Sequence, residues 1–301
     1  MLLLTGATGL VGSALLRRLV DEGTQVRCLV RDPRRLGAQR VRVQIALGDL
    51  ADPQSFRNAM RGVDTVVHLA ASIRDQPRGS IEELNGIATW RMVRAAQRQG
   101  VERFVFFSVL GASTHHRARF FRAKALAEQA VAEAELRSTV FAPSIVYAPG
   151  DRWTGLLERM ALLPAMPVSG RGRACYQPIW AEDVADCAIA ALRAPAIAPA
   201  LGGGPNMTER FELAGPQTLS QDEIVRLVLR SQGRNRPLLH IPTPIVSRGL
   251  RLLEATLGQK AFATWDEAEL MEVPMISARG AADVESLGVT PQPMGAVLPT
   301  A

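Results

Sequence analysis

Lysine is nearly missing from this chain. Only Lys124 and Lys260 occur in 301 residues, so 33 of the 35 basic residues are arginine (35 − 2). Positive charge is therefore delivered by a planar fork, and where lysine is kept its compact ammonium has a use of its own. Cysteine is equally sparse. Cys28, Cys175 and Cys187 lie far apart, with no CxxC and no His/Cys cluster. That argues against a disulfide framework and against a zinc site, and for reduced thiols in a cytosol; no metal is expected. Tyr147 and Tyr176 are the only tyrosines. No apolar run has the length of a bilayer span, and the opening MLLLTGATG is broken too soon by glycine, with no basic region before it, to be a signal peptide.

What is present describes a soluble, globular chain: 47% hydrophobic and 21% charged residues, and length enough for one large α/β domain plus a smaller partner. The net charge is +6. The basic residues are scattered and not interleaved with aromatics, so no nucleic-acid partner is expected.

The first half alternates apolar strands (2–5, 26–30, 41–46, 65–71, 103–108, 138–142) with amphipathic helices (13–22, 52–61, 82–99, 118–135). Helices of this length between strands imply right-handed crossovers and a doubly wound parallel sheet. After Pro143 the pattern loosens, with proline and glycine dense over 143–172 and 195–205. A helix over 181–193 returns to the main domain. Beyond it come a short strand (211–214), a helix over 220–232 with Ser220 as N-cap, a helix over 245–257, and an extended, proline-rich tail from 291. The division expected is a dinucleotide-binding Rossmann domain of 1–143 plus about 177–195, and a smaller α/β substrate or partner domain of about 144–176 and 196–301.

Between the first strand and first helix runs Gly6-Ala7-Thr8-Gly9-Leu10-Val11-Gly12. Gly6 permits a tight turn, Gly9 lets the backbone approach a pyrophosphate, and Gly12 lets helix and strand pack closely. The helix start adds amides and a positive dipole end. Thr8, Leu10 and Val11 complete this cofactor loop. At the end of the second strand, where an NAD site has an acidic residue, stand Val30-Arg31-Asp32, with Arg34 and Arg35 behind. Arg31 suits a 2′-phosphate, which favours NADP(H); NAD(H) is the alternative if Asp32 takes the acidic role one position late.

With these residues in view, the chain resembles the extended short-chain dehydrogenases. TGATGLVG, Gly48-Asp49-Leu50, VVHLAA at 66–71 and Asn85 carry the general likeness. FFSVLGA at 106–112, FRAKALAEQAV at 121–131, APSIVYAPGDR at 142–152, YQPIWAEDVA at 176–185 and FELAGPQTLSQDEIV at 211–225 are similar to the atypical branch that contains the NADPH-binding accessory subunit of respiratory complex I. The likeness spans roughly 1–260. It implies that Asp49 and Leu50 line the adenine pocket, that Ala70 and Ala71 face the cofactor, that Lys124 binds the nicotinamide ribose, and that Pro143 and Ser144 lie beside the nicotinamide.

Two positions depart from the pattern. Four residues before Lys124, where the family's proton-transferring tyrosine belongs, stands Phe120, which cannot act as acid or base. Ser108 lies on the right strand, but the usual serine position two residues later is Leu110. Lys124, Ser108 and His116 are the remaining catalytic candidates, His116 because a loop histidine near that helix can move protons at neutral pH. His68, inside an apolar strand, reads as a core residue.

Two functions stay open. One is an NADP(H)-binding accessory or regulatory module in a protein complex, with weak or no turnover. The other is an NADPH-dependent reductase or isomerase of a small, largely apolar substrate with a non-tyrosine proton donor. The lining expected for that substrate is 153–176, rich in leucine and methionine, with Arg171 and Arg173 at its end. The stripe Val246, Leu250, Leu253, Leu257, followed by Phe262 and Trp265, reads either as core or as a surface that docks on a protein or membrane. The expected location is the cytoplasm, or the inner face of a membrane as a peripheral protein.

Overall fold

A computed structural model describes residues 1–194, 208–257 and 264–298. The N-terminal half runs β1 (Leu2–Thr5), α1 (Leu10–Asp21), β2 (Val26–Val30), β3 (Gln44–Leu47), β4 (Thr65–His68), α2 (Ala88–Arg98), β5 (Arg103–Phe107), α3 (Arg119–Ala132) and β6 (Arg137–Pro143). The remainder comprises β7 (Val146–Tyr147), α4 (Arg152–Met160), β8 (Met166–Ser169), β9 (Cys175–Tyr176), β10 (Ile179–Trp180), α5 (Ala181–Arg193), β11 (Thr208–Leu213), β12 (Leu219–Ser220), α6 (Gln221–Ser231), β13 (Leu238–Ile241), α7 (Thr243–Leu257), α8 (Trp265–Leu270), α9 (Ala282–Ser286) and α10 (Met294–Val297).

Seven strands form one parallel sheet in the order β11-β6-β5-β4-β1-β2-β3. The winding reverses between β1 and β4, and in open α/β sheets ligands bind at that switch, outside the carboxyl ends of the strands. Both faces are covered. Leu2, Leu4, Val67, Val105 and Phe107 point to one face, under Leu15, Leu16 and Leu19 of α1 and Val184 and Ala188 of α5. The alternate residues Leu3, Val66, Phe104 and Phe106 meet Met92 and Val93 of α2 and Ala127 and Val131 of α3 on the other. Strands buried on both sides have no polar alternation to keep, which is why they read as unbroken apolar runs. Arg18 of α1 ties α5 down, its Nε donating to Asp186 at 2.6 Å and its Nη1 pairing with Glu182.

The doubly wound fold is as the sequence implied; five local expectations are corrected. The first helix begins at Leu10, not at 13, because Gly9 is its N-cap. The third strand begins at Gln44, not at 41, because residues 33–41 wind into 3₁₀ turns, with the Asp32 carboxylate accepting from the Arg34 amide at 3.0 Å and Pro33 in the first turn. Residues 52–61 are successive turns, bonded mainly between residues three apart. There Ser55 Oγ bonds the carbonyls of Asp49 and Asp52 and so competes with helix formation. The helix expected over 82–99 opens as a π-turn, Glu83–Ile87, before α2. The tail is not wholly extended, since α10 buries Met294.

The stretch 144–298 builds a further apolar cluster from Tyr147, Met166, Tyr176, Ile224, Val228, Met275 and Met294. It also returns a strand to the main sheet, because β11 pairs with β6 over six residues. Ser220 caps α6 as expected, in a capping box with Glu223. Residues 195–205, Lys260 and Phe262 lie outside the described residues. No helix among the described residues is long and apolar enough to cross a membrane.

Candidate functional site

The turn after β1 is shaped by what its glycines lack. Gly6 has φ +75°, and a Cβ there would stand 2.7 Å from the Ala70 amide nitrogen. A Cβ on Gly12 would lie 2.1 Å from the Gly6 carbonyl oxygen, so α1 can approach β1 this closely only with glycine at that position. The Gly9 amide donates to Gly6 O at 2.9 Å. Gly9 supplies no side-chain cap, and the first turn of α1 holds no acidic residue. The first amides of the helix are thereby left to an outside anion.

This turn forms one wall of a cleft of about 330 Å³ at the β1/β4 switch. Gly6, Thr8, Gly9, Arg31, Asp49, Leu50, Ala70 and Ala71 all border it, contributed by the turns after β1, β2, β3 and β4. Leu10, Val11 and Gly12 are on α1 and do not line it. Arg31 and Arg35 both line the cleft. Asp32 is turned to Arg34, whose amide it accepts and whose guanidinium it meets at 3.4 Å. Four lining residues went unread in the sequence: Leu29, Ser72, Gln76 and Leu84. Leu29 had a legible signal, as the residue two before Arg31 on a buried strand. Ser72 and Gln76 sit in an irregular segment without periodicity, and Leu84 lies in the π-turn that opens the expected 82–99 helix.

Behind the cleft a buried hydrogen-bond chain fixes the loop after β4. The Ala70 amide donates to Thr5 Oγ1 at 3.2 Å, and Thr5 Oγ1 meets His68 Nδ1 at 2.8 Å. On the far side His68 Nε2 meets Thr89 Oγ1 at 3.1 Å, and that hydroxyl donates to the Asn85 carbonyl at 2.6 Å. A hydroxyl that gives its proton to Asn85 must accept from His68, so the proton of the ring is on Nε2. Burial, with the Lys124 charge adding to it, pushes the His68 pKa down to about 3 and keeps the ring neutral. Asn85 then brackets Ser72, donating to its carbonyl at 2.7 Å and accepting its amide at 3.1 Å. His68 is thus the core residue expected, and Asn85 holds the cleft loop.

The residues expected around a nicotinamide are packed tightly. Lys124 is 2% exposed. Its Nζ donates to the Phe107 carbonyl at 2.6 Å and lies 4.8 Å from the Phe106 ring and 5.8 Å from that of Phe120. Burial lowers its pKa to about 7, Glu128 opposing the shift. Ser108 is buried and its Oγ has no hydrogen-bond partner among the described residues. Ser144 uses its hydroxyl elsewhere, donating to Met275 O at 2.8 Å and accepting from the Gln177 amide at 3.1 Å. Pro143 closes β6 beside it. His116 stacks on Phe121 at 4.4 Å, and its Nδ1 accepts from the Ala118 amide at 2.9 Å. Burial lowers its pKa. Tyr147 and Tyr176 are core residues, and burial raises both phenols. Of the apolar segment expected to line a substrate pocket, Leu157 and Met166 are buried in the smaller cluster, whereas Leu162 and Leu163 face outward.

Residues 6–195 match a family described as NAD(P)H-binding. The chain belongs to that family. Its relatives include sterol demethylase protein B of Methylococcus capsulatus, 31% identical in an alignment that covers 86% of this chain and 83% of the relative. Photosystem II assembly factor Ycf39 of Cyanophora paradoxa is 25% identical over 88% of this chain and 76% of its own length. A mitochondrial NADH dehydrogenase (ubiquinone) 1 alpha subcomplex subunit 9 from Arabidopsis thaliana is 29% identical over 74% of this chain, but over only 56% of its own. Among solved structures, a nucleoside-diphosphate-sugar epimerase from Staphylococcus aureus superposes with a TM-score of 0.76 over 99% of both chains at 17% identity, a likeness of fold alone. The dinucleotide-binding reading of its glycine loop thus agrees with the NAD(P)H-binding family that the chain matches.

Proposed function

We propose that this NAD(P)H-binding protein holds NADP(H) in the β1/β4 cleft and serves as a cofactor-binding accessory or regulatory module with weak or no turnover. A dinucleotide fits the residues present. The glycine cradle that any Cβ would fill and the uncapped start of α1 suit a pyrophosphate, and Asp49, Leu50, Ala70 and Ala71 would border the nucleoside. Arg31 and Arg35 would take a 2′-phosphate; Asp32, committed to Arg34, is poorly placed to bind a ribose hydroxyl, which supports NADP(H) over NAD(H). Bound there, the cofactor would supply hydride.

The observation that carries the accessory reading is the setting of Lys124. Its ammonium is enclosed by the rings of Phe106 and Phe120 and satisfied by a backbone carbonyl, and the residue one turn earlier on α3 has no proton to give. Two relatives are named as an assembly factor and as a subunit of a respiratory complex, in keeping with a protein partner for this chain. A second reading, reduction or isomerisation of a small apolar substrate, is favoured by the same lysine: a pKa of about 7 lets an amine give and take protons near neutrality.

Titration of cofactor-stripped protein with NADPH and NADH, followed by nicotinamide fluorescence, tests both. The accessory reading expects tight NADPH binding and slow oxidation by quinones, aldehydes and enones. The Arg31→Ala/Arg35→Ala double variant should lose about tenfold or more in NADPH affinity and little in NADH affinity. Prompt oxidation that disappears in Lys124→Ala would favour the reductase, and failure to bind either nucleotide would overturn both.

A further inference from the structure

A second cavity, of about 300 Å³, opens between α2 and the turns of 52–61. Its apolar lining is Pro53, buried Phe56, Ala95 and Trp90, which is 50% exposed. Arg57, Arg91, Arg94 and Arg98 surround it, the last three on one face of α2 at spacings of three and four. No aspartate or glutamate lines it. Among the described residues none of these four arginines forms an ion pair, although Arg17, Arg18, Arg42 and Arg119 elsewhere do. The Arg94 guanidinium lies 5.8 Å from the Trp90 ring.

Four like charges around one concavity repel one another, and among the described residues none of them has an ion-pair partner. A half-exposed tryptophan beside them leaves apolar area in water. Both costs are relieved by one kind of ligand. We propose that this cavity binds a phosphate monoester carrying an apolar or aromatic group. The guanidinium forks take the dianionic phosphate, and Trp90 and Phe56 take the apolar part. The site shares no lining residue with the cofactor cleft. Such a monoester has two sources, a soluble organic phosphate or a phosphatidic acid headgroup in a membrane.

The test uses the full chain, phenyl phosphate as soluble probe in calorimetric titration, and cosedimentation with phosphatidylcholine vesicles with and without phosphatidic acid. Binding should weaken about tenfold or more in Arg94→Glu/Arg98→Glu. It should also weaken in Trp90→Ala, which probes the cavity without reversing charge, and persist in Arg226→Glu/Arg230→Glu, the same charge change made on α6. Retained NADPH binding reports that each variant is folded. Phenyl phosphate binding without sedimentation assigns the site to a soluble ligand. Sedimentation that needs phosphatidic acid and is lost with Arg94 and Arg98 assigns it to a membrane. The proposal fails if neither probe binds, if binding survives the Arg94/Arg98 change, if the α6 variant loses it equally, or if NADPH displaces phenyl phosphate.

Discussion

Lys124 is held in a place that disfavours its own charge, and this has a pH signature. Burial brings its pKa from 10.5 to about 7. Between those values the unfolded chain keeps a proton the folded chain has released, so stability rises with pH across the window and is lost as pH falls toward 7. Lys124→Met cannot titrate. In urea denaturation at about pH 6.5 and pH 9.5 the wild type should gain at least about 1 kcal/mol more than the variant between the two. Equal gains would mean that the ammonium is solvated. One turn away, Phe120→Tyr would restore a phenol beside that amine. If the missing hydroxyl is what limits chemistry, NADPH oxidation by a carbonyl panel should rise by roughly 10²-fold or more. An unchanged rate would move the defect elsewhere in the site. The loop glycines were legible because their meaning depends on residue type and spacing, whereas Phe120 and Lys124 took their meaning from the family resemblance. The Thr5–His68–Thr89–Asn85 chain was not legible, since its members come from β1, β4, α2 and the π-turn before it, and only folding brings them together.

At the scale of the element, periodicity found nearly every strand and helix of the first half, because the central strands are buried on both faces and each helix on one, while the edge strand β3 is largely exposed. It failed where side chains compete for the backbone. Residues 52–61 carry Phe56, Ala59 and Met60 at helical spacing, all buried, yet Asp52 and Ser55 capture nearby backbone groups and the segment stays a run of turns. A π-turn is equally invisible to a 3.6-residue pattern. The junction of β1 and α1 gives the sharpest test at this scale. Gly12→Ala inserts a methyl 2.1 Å from the Gly6 carbonyl, which backbone cannot absorb without moving. The variant should lose NADPH binding and about 1–3 kcal/mol of stability, measured by fluorescence titration and chemical denaturation. Full binding in Gly12→Ala would show that the turn tolerates a wider gap between helix and strand.

For the molecule as a whole, the sheet takes its edge strand β11 from beyond residue 207, on the far side of α4, α5 and strands β7 to β10. The sequence marked 211–214 as a strand but could not assign its partner, because pairing across this distance leaves no local trace. A fragment ending at residue 194 would keep every helix of the nucleotide fold yet bare the β6 edge over Arg137–Pro143, four of whose seven residues are apolar. Such an edge is a template for another chain. The fragment should therefore aggregate when expressed alone, as seen by size-exclusion chromatography, whereas the full chain should not; a monodisperse fragment would mean that β11 is dispensable. The scarcity of lysine has its own practical result. With one of two lysines 2% exposed and bonded to a carbonyl, amine-directed cross-linkers have almost nothing to grip on this surface. A search for binding partners by lysine cross-linking would have little to report for reasons of chemistry alone, and carboxylate- or arginine-directed reagents are better suited to mapping what this protein touches.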